Sequence, residues 1–92
     1  NFAHAHSNLG IILRDLGKLK EAELLQRKAI EINPDFAEAY SNLGNIMRDL
    51  GKLKEAEIST RKAINIKSDY ANAHFNLGNM LKVVLILKLM GT

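Results

Sequence analysis

The 92-residue chain has no cysteine, thirteen Lys and Arg against ten Asp and Glu, and a formal charge of +3. A disulfide framework, a thiolate nucleophile and a cysteine-rich metal site are therefore excluded. The basic residues alternate with acidic ones and only five aromatics occur, which describes a mixed solvated surface rather than the basic, aromatic-laced face that binds single-stranded nucleic acid. A chain of this length buries a limited share of its surface, so its fold must draw on local contacts. No stretch reaches the ~20 apolar residues of a membrane span. The first residues carry neither an initiator Met nor a signal-peptide pattern, so the chain reads as a piece of a longer product, with the cytoplasm as default location and no cofactor.

From Ala5 onward Leu9, Ile12, Leu13 and Leu16 recur at spacings of three and four, the period of one side of a helix. Gly17 follows the last of them and should close that helix in the left-handed conformation. A second helix is expected from Lys18 to Ile32 through Leu19, Ala22, Leu25, Ala29 and Ile30, with Glu21 and Glu23 near its start. Asn33-Pro34-Asp35 ends it, and Asp35 is expected to cap the next helix. The design then repeats: residues 3–36 and 37–70 agree at 23 of 34 positions, including the unbroken block from Arg14 to Glu23 against Arg48 to Glu57. Gly51 stands where Gly17 stood, and Ser68-Asp69 where Pro34-Asp35 stood, the loss of proline being tolerable because Ser or Asp alone is a good helix cap. The triplet Asn8-Leu9-Gly10 returns at Asn42-Leu43-Gly44 and at Asn76-Leu77-Gly78. A fixed period of this length marks stacked repeats in which each unit covers its neighbour's apolar face. Gly10, Gly44 and Gly78, with Ala22, Ala29, Ala56 and Ala63, fall where helices would cross closely.

The period, Leu-Gly in the first helix, Gly at the turn, two alanines in the second helix and a closing Pro together resemble the tetratricopeptide repeat. That resemblance implies an all-α, right-handed superhelical solenoid of antiparallel helix-turn-helix hairpins. It implies one domain over residues 1–92, with repeats at 3–36 and 37–70 and a partial third at 71–92. Helices are expected near 3–16, 18–32, 36–50, 52–66 and 70–90. The usual aromatic four residues into each unit is replaced by His6, Tyr40 and His74, and the bulky residue of the second helix by Gln26 and Thr60; weaker packing within units is expected from both. The resemblance further implies a non-catalytic scaffold that holds a peptide or protein segment in a groove lined by the first helices.

One face of each first helix is polar. It reads His4, Ser7, Asn8, Ile11, Arg14; then Glu38, Ser41, Asn42, Asn45, Arg48; then Asn72, Phe75, Asn76, Asn79, Lys82. Stacking would align Asn8, Asn42 and Asn76 in one row and Arg14, Arg48 and Lys82 in another. An asparagine amide offers donors and an acceptor, which suits an extended peptide backbone. The candidate peptide-binding residues are therefore Asn8, Asn42, Asn76, Asn45, Asn79, Arg14, Arg48 and Lys82; the competing reading makes the Asn side chains structural. In this row the chain is similar to the long repeat arrays of protein-glycosylating transferases. The carboxylate-clamp form of the family fits poorly, since Ser7, Ser41, Asn72 and Asn76 stand where basic residues are expected or needed. Asp15 and Asp49 follow Arg14 and Arg48 and would offset part of the basic row. His4 and His6, two apart, point to different sides of a helix and cannot share one metal ion, and no catalytic constellation is readable.

The repeat pattern breaks off after Lys82. Leu85 stands where Gly17 and Gly51 close the earlier first helices, so the third first-helix should run on without turning back. Nine of the eleven residues from Met80 to Met90 are apolar, too many for a helix lying on water. Val83, Val84, Ile86, Leu87, Leu89 and Met90 are the expected self-association surface of a homo-oligomer. Neither nucleic acid nor a membrane is an expected partner.

Overall fold

The computed structural model describes residues 1–91. Five helices follow in order: α1 Phe2–Asp15, α2 Leu19–Ile32, α3 Ala37–Asp49, α4 Leu53–Ile66 and α5 Ala71–Leu89. Each expected helix is present to within one residue or two at either end. α1 and α2 form one antiparallel hairpin and α3 and α4 a second, and α5 packs on α4 as the first helix of a third unit. Both hairpin turns rest on a left-handed glycine, Gly17 and Gly51, each at φ 79°. Neither glycine has an atom near its Cβ position, so backbone conformation alone requires them.

The five helices make two layers. α1 touches α3 and α3 touches α5, whereas α2 and α4 do not meet. A stack whose first helices are in contact and whose second helices are splayed curves toward the first helices, which therefore form the inner face. The core runs between the layers: Ala22, Leu43, Ile46, Met47, Ala56 and Met80 make one cluster, and Ala3, Ala29, Phe36 and Ala39 another. The small residues at the crossings are needed there. A Cβ on Gly10 would lie 2.7 Å from Gln26 Nε2 and 3.3 Å from the Ala22 carbonyl, and one on Gly44 would collide with Thr60 Oγ1.

Three expectations need correction. Asp35 and Asp69 do not cap the helices that follow them: the N-caps are Phe36 and Tyr70, without side-chain bonds. Instead Asn33 Oδ1 accepts from the Asp35 amide at 3.2 Å, and the Phe36 carbonyl takes the Ala39 and Tyr40 amides, so the backbone closes the turn. Asn33 and Lys67 share nearly the same extended geometry although only Asn33 precedes a proline. Secondly, Gln26 and Thr60 are not packing defects. Both are fully buried and bonded, Gln26 to Ser7 and Thr60 to the Ala56 carbonyl at 2.8 Å. Thirdly, Gly78 is not at a crossing, because nothing lies within 4 Å of its Cβ position.

α5 runs through Leu85 without a bend, as the missing glycine requires, and Gly91 at φ 78° closes it. On the side where α2 covers α1 and α4 covers α3, α5 carries no helix among the described residues.

Candidate functional site

The inner face is built by helical spacing. On α3, Glu38, Asn42, Asn45 and Asp49 recur at three and four residues, so they share one side, while Leu43, Ile46 and Met47 turn inward and are buried. The corresponding residues of α1 and α5 extend that side across the stack. A depression of about 300 Å³ between α1 and α3 is lined by His4, Ser7, Asn8, Ile11, Phe36, Glu38, Asn42 and Tyr70. The His4 ring leans on Phe36 with centroids 4.5 Å apart, so this histidine walls the depression.

The three asparagines of the central row are not equivalent. Asn42 is half-buried, and its amide donates to Ser7 Oγ at 3.2 Å. The Ser7 hydroxyl in turn donates to Gln26 Oε1 at 2.8 Å, and Gln26 Nε2 donates to the Ser7 carbonyl at 2.9 Å. This chain of bonds ties α1, α2 and α3 together, so Asn42 has a structural share. Its carbonyl oxygen has no such commitment. Asn8 is exposed and Asn76 half-buried, and among the described residues neither amide is bonded. Asn45 Oδ1 is buried without a partner, an acceptor held away from water with nothing to accept. Asn79, the equivalent residue of α5, is half-buried.

The basic row behaves differently from its sequence reading. Arg14 does not pair with the neighbouring Asp15; its Nε donates to Asp49 Oδ2 of the next unit at 2.6 Å. Aspartate at this position thus neutralises the arginine of the unit before it. Arg48 and Lys82 form no ion pair among the described residues. His6 and His74 are satisfied by backbone, with His6 Nδ1 2.6 Å from the Phe2 carbonyl and His74 Nε2 2.8 Å from the Ser68 carbonyl, and His4 Nδ1 lies 3.0 Å from Asn1 Oδ1. Among the described residues, no group of three or more His, Asp or Glu is placed to hold a metal ion, and no helix is long and apolar enough to cross a membrane.

A larger opening of about 540 Å³ lies on the outer face, lined by residues including Arg27, Ile30, Tyr40, Ile58 and Lys62. It is the wedge left where α2 and α4 splay. Its charged groups already have partners, Arg27 with Glu23 at 2.9 Å, Glu31 with Lys28 at 3.6 Å and Lys62 above the Tyr40 ring at 6.0 Å. Unspent hydrogen-bonding capacity collects instead on the inner face, which is why that face is the stronger candidate despite its smaller depression.

The sequence reading missed the Ser7–Gln26 bond, although a serine and a buried-register glutamine 19 residues apart were its visible signal. It also missed the open side of α5. Phe75 is 69 %, Leu81 41 % and Leu85 56 % exposed, and they flank Gly78 at helical spacing. Of the six expected self-association residues, Leu89 lies on that side. Val83, Leu87 and Met90 fall on other sides of the helix, Ile86 at the margin, and Val84 is half-buried.

The chain matches the family model described as TPR repeat over residues 10–51 and again over 44–82. The second match ends at Lys82, where the sequence leaves its own repeat pattern. No curated protein matches the chain. Repeats of this kind are generally non-catalytic modules of protein–protein interaction. With two hairpins and a third first-helix in this arrangement, the chain belongs to the tetratricopeptide repeat family.

Proposed function

We propose that the chain holds an extended peptide segment of a partner protein along the inner face of α1, α3 and α5. Asn8, Asn42, Asn45, Asn76 and Asn79 meet the peptide backbone, and Arg14, Arg48 and Lys82 border it. The observation that carries this reading is the unspent hydrogen-bonding capacity of that face: the amides of Asn8 and Asn76 are unbonded among the described residues, and Asn42 commits only its Nδ2, to Ser7. An exposed asparagine amide offers a peptide backbone both a donor and an acceptor. The test is retention of partner proteins from the chain's own cell extract. Asn42→Ala and Asn76→Ala should weaken retention, since central residues dominate an interface. Unchanged retention by both, with a loss on Leu24→Ala of the outer face, would place binding on the wrong side.

A second reading rests on a separate observation, the uncovered side of α5. In the first two units the equivalent side receives an antiparallel helix at glycine contact. Gly78 leaves room for the same close approach, and a second copy's α5 supplies the matching apolar surface. Two copies paired about a two-fold axis would cover Phe75, Leu81, Leu85 and Leu89 from both sides. Light scattering decides it: a monodisperse monomer at micromolar concentration removes the idea, and a dimer that Leu85→Lys dissociates supports it.

A further inference from the structure

The ion pair between Arg14 and Asp49 joins equivalent positions of successive units. Advancing both numbers by one repeat gives Arg48 and Val83. The second junction has kept its cation and lost its carboxylate. Arg48 is half-buried on α3, and its guanidinium forms neither an ion pair nor a hydrogen bond among the described residues. The acid nearest to it in sequence, Asp49, is committed to Arg14. Lys82 adds charge of the same sign, and Glu38 stands ten residues back along α3, about 15 Å away, too far to offset it across solvent. A partly desolvated guanidinium with all its donors free is a receptor for a planar, two-oxygen anion.

We infer that Arg48 receives a carboxylate side chain of the bound peptide, so that the ligand supplies the Asp or Glu missing at position 83. The partner class is then an extended segment with an acidic residue at the register that crosses from α3 to α5. Arg14 makes no such demand, because its carboxylate is supplied by the chain itself. This inference rests on the inner-face reading above.

The probe is a pair of immobilised libraries of extended decapeptides, one of Ser, Thr, Gly, Ala and Glu, the other identical with Gln in place of Glu. The intact chain is expected to favour the Glu library about fivefold and to lose that preference in high salt. Arg48→Gln should abolish the preference. Val83→Asp should abolish it too, by giving Arg48 an internal partner, and position 83 is 41 % exposed, so this variant keeps its fold. Circular dichroism on both variants checks that helix content is unchanged. Equal retention of the two libraries by the unaltered chain, or a preference that survives both substitutions, overturns the carboxylate assignment and leaves the inner-face reading standing. Retention of neither library sinks the inner-face reading, and the assignment with it.

Discussion

Ile12 and Ile46 are the same residue of the repeat, one period apart, on helices of almost the same length and sequence. Ile12 is 54 % exposed and Ile46 is fully buried. Leu9 and Leu43 differ in the same way, at 48 % and 3 %, as do Phe2 and Phe36. The difference lies in what stands behind each helix: α2 covers the back of α3, and nothing among the described residues covers the back of α1. Across α5 the lesson repeats on the other side, where Gly44 is pressed by Thr60 and Gly78 meets open space. In a stacked chain the neighbouring unit, rather than the side chain itself, decides whether a residue is core.

Substituting equivalent residues is the sharpest way to break that comparison. Ile46→Ala should cost about 2–5 kcal/mol, the range for truncating a buried aliphatic side chain, whereas Ile12→Ala should cost about 0.5 kcal/mol or less. Urea unfolding of the two variants measures both, and similar losses would mean that something covers α1 in solution. The glycines should differ in sign. Gly44→Ala forces a methyl against Thr60 Oγ1 and the Ala56 carbonyl and should destabilise by about 1–3 kcal/mol. Gly78→Ala has free space in a helix and should stabilise by about 0.5–1 kcal/mol. If a second copy packs on α5, Gly78→Ala should instead weaken that association, which sedimentation would detect.

The polar bonds give smaller contrasts. Ser7→Ala strands Gln26 Oε1 in the core and should cost about 1–3 kcal/mol. Ser41→Ala faces the shorter Thr60, whose hydroxyl is spent on Ala56, and should cost less in the same melt. Least of all is the junction pair: a double-mutant cycle on Arg14 and Asp49, each about a third exposed, should return a coupling of about 0.2–1 kcal/mol that fades in salt.

The sequence told most where the cause was local. Gly17 and Gly51 mark their turns because a positive φ is a demand on one residue, and the absence of glycine at Leu85 foretold the straight α5 for the same reason. Apolar spacing placed the helices of the first two units, and repeat register placed α5. Sequence reading failed mostly where the cause lay on another helix. Asp49 is adjacent to Arg48 in sequence but answers Arg14, a pairing fixed only by the stagger of the stack. Gln26 looked like a poor substitute for a bulky residue because its partner, Ser7, is reached across the hairpin. Gly78 shared its register with two crossing glycines, yet no crossing helix is there. Asp35 and Asp69 have the chemistry of caps, but the chain enters α3 and α5 one residue later, at Phe36 and Tyr70, and the cap passes to the backbone. On the inner face the rows of Asn and Arg were legible as rows, while their inequality was not. Which of these side chains is spent depends on the neighbouring helix, where Ser7 accepts from Asn42 and Asp49 accepts from Arg14.

The inner face is the central functional claim, and side-chain amide spectroscopy addresses it most directly. Asparagine side-chain NH2 signals of the intact chain would be followed by NMR while a peptide recovered from the decapeptide libraries is titrated in. The account predicts that Asn8, Asn42, Asn45, Asn76 and Asn79 shift together and saturate with one affinity, while Asn33 and Asn65, which lie on no first helix, stay in place. Shifts confined to Asn33 and Asn65, or to the backbone amides around Leu24 and Ile58 with the five inner asparagines unmoved, would contradict it.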